Sequence, residues 1–243
     1  MLFRSCETLR SSAIISPHGS LDYSGTVAAA AWNSVSPRSV GTLVILSPSH
    51  RAYEQGIFIP ESKVFSIPAV DFQVDRPLLR ELRHSSMNIV ENDIPHLEEH
   101  GIEMQLVFAS RFCPDATIIP IIASNIDNDS LDALYSRLQD ILGDRIASTL
   151  IVLSSNMAVS PNEESCRSST SAFLRKITER DIDGLAAPGP DFHSFCGASL
   201  IAAYLRSNLS SAMDARILAT SCSAPFGESG DPVVGYGAVS FSR

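Results

Sequence analysis

The chain has 243 residues, of which 44% are hydrophobic, and it carries a formal net charge of -9 at pH 7. This length and apolar content are sufficient to bury a full core. The acidic balance argues against a nucleic acid or an anionic membrane as partner, since neither gains Coulomb attraction or counterion release from such a surface.

No Gly/Ser/Pro-rich linker divides the sequence, so we expect one domain spanning residues 1–243. The first residues lack the apolar core of a signal peptide, and no apolar run approaches the ~18 residues that a membrane helix needs. The five cysteines are scattered and form no Cys-x-x-Cys pair, which is typical of reduced thiols. We therefore expect a cytoplasmic protein without a membrane partner.

The first strands of the chain each lead to a histidine. Residues 13–15 and 42–46 are short apolar runs typical of buried strands, and residues 24–32 between them are predicted to form a helix. A strand, helix, strand unit predicts two parallel strands lying side by side. His18 and His50 come just after these strands, at the edge where ligands collect in open α/β sheets, so we expect them to share one site.

The next segments are predicted from local patterns. Residues 57–60 and 64–67 are predicted to pair as a small antiparallel unit. Residues 75–87 are predicted to form a surface helix, because Asp75 is suited to the N-cap and Pro77 to the first turn. His84 is expected on the exposed side of that helix.

Residues 91–112 place a dense polar cluster before an apolar helical face. Two interpretations stay open. The cluster is either a solvated first turn that complements the helix dipole, or it brings His100 or Glu103 to the site made by His18 and His50.

In the second half of the chain we expect a strand at 114–124, followed by a helix capped by Asn128 or Asp129. A strand at 149–154 and a long helix from 161 toward 183 come next. Two closing strands are expected at 215–221 and 232–241. Cys196 is predicted in the first turn of a helix, where the dipole favours a thiolate. The alternative is an inert buried cysteine.

Six segments, in chain order, resemble motifs of the Memo family, also known as AmmeMemoRadiSam system protein B. They are PHGSLDYSG (17–25), ILSPSH (45–50), EHGIEMQLVF (99–108), LIVLSSNMAVS (150–160), FCGASLIAAYL (195–205) and GYGAVSF (235–241). That family is in turn distantly similar to the class III extradiol dioxygenases. The resemblance implies an α/β fold with a central, mostly parallel or mixed sheet flanked by helices.

The resemblance also implies a metal site formed by His18, His50 and Cys196. Two imidazoles and a thiolate with open coordination positions suit Fe2+ or copper better than magnesium or calcium, and zinc also fits. The family's Asp and His in its SSDFSHY motif are replaced by Asn156 and Val159, which removes an ionisable group at each position.

His100 and Glu103 match the family's motif and are therefore the remaining candidates for acid/base or hydrogen-bonding roles. The first functional hypothesis is a non-heme, metal-dependent redox or oxygenase-type enzyme that acts on a small molecule. The second is a non-catalytic protein that holds a metal or a peptide in the same cleft. A third is that no metal binds and the three residues only pack. The family name suggests functional association with a radical-SAM protein.

Overall fold

The computed structural model describes residues 11–36, 40–51, 55–68, 70–84, 88–186, 195–224 and 231–243. In these ranges the strands are β1 (Ala13–Ser16), β2 (Thr42–Pro48), β3 (Gly56–Ile59), β4 (Val64–Ile67), β5 (Val70–Gln73), β6 (Ile89–Glu91), β7 (Thr117–Ser124), β8 (Thr149–Ser154), β9 (Val159–Ser160), β10 (Asp214–Cys222) and β11 (Val233–Ser242). The helices are α1 (Leu21–Trp32), α2 (Arg76–Arg83), α3 (Ile94–Glu98), α4 (His100–Phe112), α5 (Asn128–Leu142), α6 (Glu163–Glu179), α7 (Ile182–Ala186) and α8 (Ala198–Arg206).

A mixed central sheet organises the molecule, as expected. Its strand order is β10-β11-β1-β8-β2-β7-β3-β6, and β9 pairs with β11. Strands β1, β8, β2 and β7 are mutually parallel, whereas β11 runs antiparallel to β1 and β3 runs antiparallel to β7. Helices flank this sheet, so the predicted fold class is confirmed.

The predicted adjacency of the first two strands is wrong. β8 lies between β1 and β2, and Val152 pairs with Ile14 on one side and with Ile45 on the other. The local pattern fixes only that the two strands are parallel, while a fully buried strand from much later in the chain inserts between them. Because all three strands run in the same direction, the carboxyl ends of β1 and β2 still lie at one edge of the sheet.

The predicted pairing of residues 57–60 with residues 64–67 is also wrong. β3 is fully buried and joins β6 and β7 in the central sheet. β4 alternates exposed and half-buried residues and pairs with β5, with Phe65 opposite Phe72. The different burial of the two strands explains the result, since a buried apolar run completes a central sheet whereas an alternating run covers a surface.

Several helix ends differ from the predictions by a few residues. α1 begins at Leu21, the N-cap of α5 is Asp127, and the expected long helix ends at Glu179 before the short α7. Asp75 caps α2 as predicted, and its side chain accepts a hydrogen bond from the Leu78 N–H at 3.1 Å.

The core contains large side chains that are completely buried. They include Trp32, Phe72, Tyr135, Phe173, Tyr204 and Phe241. Across the described ranges, every helix is too short or too polar to cross a bilayer.

Candidate metal centre

His18, His50 and Cys196 converge at one point. One potential ligand atom from each lies within 4.8 Å of the others. His18 follows β1, His50 follows β2, and Cys196 stands just before Gly197, the N-cap of α8. Cys196 thus precedes the helix rather than lying in its first turn as predicted. Its Sγ lies 3.4 Å from His18 Nε2, and the two imidazole centroids are 4.9 Å apart.

The hydrogen bonds of Ser154 locate one ring proton of His18. The Ser154 hydroxyl donates to the Gly101 carbonyl at 2.8 Å, which uses its single proton. Ser154 Oγ is also 2.9 Å from His18 Nδ1, so it must accept the Nδ1 proton. The other ring nitrogen, Nε2, faces Cys196, and in a neutral ring it is the nitrogen that can bind a metal.

Gln105 and Trp32 extend this hydrogen-bond chain. The indole N–H of Trp32, which can only donate, lies 3.1 Å from Gln105 Oε1 and so fixes the orientation of the amide. The Gln105 amide nitrogen then donates to Ser154 Oγ at 3.1 Å and to the Pro17 carbonyl at 3.0 Å. The two hydrogen bonds that Ser154 Oγ accepts, from Gln105 and from His18, leave it fully satisfied.

Glu99 orients His50. Its Oε1 accepts hydrogen bonds from the Ser49 hydroxyl at 3.0 Å and from the backbone N–H groups of His50 at 2.6 Å and Arg51 at 2.9 Å. Its Oε2 lies 2.9 Å from His50 Nδ1, and the carboxylate is buried. Burial opposes the charge on Glu99, but the hydrogen bonds from His50 and Arg51 outweigh it and hold the pKa of Glu99 below its usual value. His50 therefore carries a proton on Nδ1.

The electrostatics favour a thiolate at Cys196. Burial raises the pKa of Cys196, but hydrogen bonds and charge from His18 and His50 outweigh burial and lower it to about 5. The Asn156 N–H also donates to Sγ at 3.2 Å. The hydrogen bond to Cys196, opposed by burial and assisted by Glu99, raises the pKa of His50 to about 9. At pH 7 the thiolate of Cys196 thus faces the imidazolium of His50. The proton of that imidazolium lies between the two side chains, where a metal ion could bind instead.

His100 completes the cluster. Its ring centroid lies 5.3 Å from that of His18 and 5.3 Å from that of His50, and it stacks on His50 at an angle of 20°. Burial and the neighbouring charges of His18 and His50 lower the pKa of His100, so it is neutral at pH 7. His50, Glu99 and His100 also have ligand atoms close together, but Glu99 already accepts hydrogen bonds on both oxygens and acts by positioning His50.

Glu103 is placed elsewhere. It is exposed and lines a separate pocket together with Phe65 and His96, so the structure does not bring it to Cys196. His84 is exposed at the end of α2, as predicted.

The comparisons with known proteins decide the family. A model of the family described as "Memo-like protein" matches residues 3–240. The chain belongs to the Memo-like family. Relatives include a MEMO1 family protein of Nitrosopumilus maritimus, 24% identical over 94% of this chain and 83% of that protein. A MEMO1 family protein of Caldivirga maquilingensis is 25% identical over 71% of this chain and 61% of that protein.

The chain therefore spans about three fifths of the Caldivirga relative and more than four fifths of the Nitrosopumilus one. Among solved structures, an uncharacterized protein of Escherichia coli K12 matches with a TM-score of 0.54 at 13% identity, over 95% of this chain and 99% of that chain. This likeness supports the fold. The predicted membership of the Memo-like family is thus confirmed.

One of the two departures from the Memo-like motif, Asn156, lies beside the cluster. Asn156, where the motif has an acid, accepts a hydrogen bond from the His18 N–H on its Oδ1 at 3.1 Å and donates its own N–H to Cys196. A neutral amide can hold these groups in place but cannot take a proton at pH 7. Val159 lies in β9 and pairs with Val234 of β11.

Sequence reasoning missed three residues that help to position the side chains of His18 and His50. Ser154 lies at the end of the strand predicted at 149–154, and Glu99 and Gln105 lie in the polar cluster of residues 91–112, but none of the three was given a role. Glu99 immediately precedes His100, and all three lie in segments that resemble the family's motifs. Those matching segments were the only signal that could have directed attention to them.

Proposed function

We propose that His18, His50 and Cys196 bind a redox-active transition metal, iron or copper, and that the protein is a metal-dependent oxidoreductase. One observation carries the proposal. Each imidazole has its Nδ1 engaged, His18 by Ser154 and His50 by Glu99, which leaves Nε2 for a ligand role beside a sulfur whose pKa is lowered to about 5. Neutral imidazole and thiolate are the forms that coordinate metals.

The donor set fits the proposed metals. Two imidazoles and one thiolate favour iron or copper, and zinc also fits, whereas magnesium and calcium prefer oxygen ligands. Three protein ligands leave coordination positions open for dioxygen or for a small organic molecule. When bound, such an ion supplies Lewis-acid or electron-transfer chemistry.

His100 is the proposed proton acceptor. Its ring lies against both His18 and His50, and its lowered pKa keeps it neutral at pH 7. A neutral imidazole exposed to solvent can accept a proton from a molecule bound beside it and release that proton to water.

The presence of Asn156 supports a second candidate function, in which the protein binds a metal or a peptide without turnover. Its amide anchors His18 and Cys196 while offering no proton acceptor where the family's motif has an acid. Both candidates use the same cleft, and only the first turns over a substrate there. A cytoplasmic location and functional association with a radical-SAM protein remain predictions.

The test is metal analysis of protein purified under anaerobic conditions. We expect about one equivalent of iron or copper in the parent, and its loss in His50→Ala and in Cys196→Ser. His84→Ala is the matched control, because His84 is exposed at the end of α2, and it should keep the metal. Metal-free parent protein, or retention in both site variants, would contradict the proposal. Oxygen uptake with catechol-like compounds then separates the enzyme from the binding protein.

A further inference from the structure

The pocket that Glu103 lines, apart from the His18, His50 and Cys196 cluster, lies on the surface formed by β4, α3 and the start of α4. It encloses about 320 Å³, at the small end of the range of about 300–1,000 Å³ that ligand sites span. Its walls include the apolar side chains of Phe65, Ile67 and Leu106. The pocket can therefore hold one ring or a short chain.

His96 lies in the wall of this pocket and is only 9% exposed. Its ring packs edge-on against Phe65, with centroids 5.7 Å apart, and neither ring nitrogen makes a hydrogen bond of ordinary geometry. The backbone of Phe58 lies close enough to raise the pKa of His96 by hydrogen bonding, but it can be the partner of only one of the two ring nitrogens. A buried polar atom without a partner is costly, so the remaining nitrogen is suited to a ligand.

The pocket is lined by acidic side chains. Asp93 and Glu103 line it, and none of the described lining residues is Lys or Arg. Asp93 is held by the Ser62 hydroxyl at 2.8 Å and by the N–H groups of Glu61 and Ser62. Glu103 is exposed and makes no hydrogen bond or ion pair with the described part of the chain, so its carboxylate is available to a ligand.

We propose that this pocket binds a small organic cation with an apolar body, of the arylalkylamine class. The ring of such a ligand packs against Phe65 and Leu106, its ammonium group lies near Glu103 and Asp93, and one ammonium N–H donates to the free nitrogen of His96. The two carboxylates and the imidazole nitrogen all act as acceptors, and the two carboxylates are negatively charged, which favours an amine over an alcohol or a carboxylate.

The state of His96 agrees with an acceptor role. Burial lowers its pKa to about 4, although Asp93 and the backbone of Phe58 act in the opposite direction. A neutral imidazole has one ring nitrogen with a free lone pair. Between pH 6 and 8 the ring does not titrate and should not repel a cation.

The test uses 2-phenylethylamine as the probe, with 2-phenylethanol and 3-phenylpropionate as neutral and anionic controls. Methyl NMR follows the leucine and isoleucine side chains. The amine should shift the signals of Ile67, Leu97 and Leu106, and the two controls should bind at least several-fold more weakly. Shifts that are equal for all three compounds, that are absent, or that appear only at leucine and isoleucine methyl groups outside this pocket would overturn the proposal.

Two variants sharpen the test. Glu103→Gln removes an exposed charge and should weaken amine binding about two- to fivefold. Glu164→Gln is the matched control, because Glu164 is also exposed but lies on α6, which packs on β10 and β11 at the other edge of the sheet. His96→Phe keeps the ring and removes the acceptor, so binding should fall about tenfold. Unchanged binding in Glu103→Gln, or an equal loss in Glu164→Gln, contradicts the proposal even if His96→Phe fails to fold.

Discussion

Glu99→Gln is expected to disable the proposed metal site while leaving the fold intact. Glu99 Oε1 accepts three hydrogen bonds, from Ser49, His50 and Arg51, and Oε2 accepts the fourth from His50 Nδ1 at 2.9 Å. A glutamine has the same shape, and its carbonyl oxygen must take the position of Oε1, since three donors converge there. The new NH2 group then faces His50 Nδ1.

That NH2 group can only donate, so Nδ1 of His50 must become an acceptor. A neutral His50 then carries its proton on Nε2, the nitrogen that serves as metal ligand in our proposal. Loss of such an orienting partner typically costs 10- to 100-fold in metal affinity, which is about 1.4–2.8 kcal/mol. The free energy of unfolding should fall by only about 1 kcal/mol, because charge-assisted hydrogen bonds are replaced by neutral ones.

The assay is a Co²⁺ titration of metal-free protein, followed by the absorption of the cobalt–thiolate bond and by competition with a chelator. Glu98→Gln is the matched control, because it makes the same charge change one residue away at an exposed carboxylate whose contact with Arg51 is 4.0 Å long. The control should bind cobalt like the parent. A folded Glu99→Gln protein with parental cobalt affinity would refute the role assigned to Glu99.

Three further outcomes are expected. Ser154→Ala removes the acceptor of the His18 Nδ1 proton, so cobalt affinity should fall about tenfold. The Cys196 pKa of about 5, instead of the ordinary 9, makes the thiolate dominant above pH 5, so the iodoacetamide reaction of metal-free protein should rise through about pH 5 and be level by pH 7. Tyr135→Phe leaves the buried Leu200 carbonyl without its 2.9 Å hydrogen bond and should lower the free energy of unfolding by about 1–2 kcal/mol in urea.

Each of these outcomes can fail independently. Parental cobalt affinity in Ser154→Ala would show that the His18 tautomer does not depend on Ser154. An alkylation rate that still rises near pH 9 would show that Cys196 is an ordinary thiol. An unchanged urea midpoint and slope in Tyr135→Phe would show that the Leu200 carbonyl finds another partner.

The convergence of His18 and His50 was predictable even though the adjacency of their strands was not. The pattern of residues 13–50 indicates two parallel strands, each followed by a histidine. Parallel strands end at the same edge of a sheet whatever strand lies between them. The insertion of β8 therefore changed the neighbours of both strands without moving His18 and His50 to opposite edges.

The partners of the histidines could not be predicted from local pattern. Ser154 is 136 residues from His18 and Glu99 is 49 residues from His50, and no periodicity links such positions. Cys196 was assigned to the site by the resemblance to the Memo family, because a thiol near a helix start is by itself compatible with an inert side chain.

The failed prediction for β3 and β4 has a similar origin. Two short apolar runs separated by a turn predict a hairpin when only neighbours in sequence are considered. Fully buried β3 joins the central sheet through β7, whereas the alternating β4 pairs with β5. Burial in the folded protein, which local sequence does not specify, decided between these partners.

The most direct test of the proposed site is X-ray absorption spectroscopy of protein loaded anaerobically with one equivalent of zinc. The proposal predicts one sulfur neighbour at about 2.3 Å and imidazole nitrogens at about 2.0–2.1 Å. The sulfur neighbour should persist in Cys113→Ser, a change at a buried cysteine just after α4, and disappear in Cys196→Ser. A parent spectrum without sulfur, or a sulfur neighbour that survives Cys196→Ser, would contradict it.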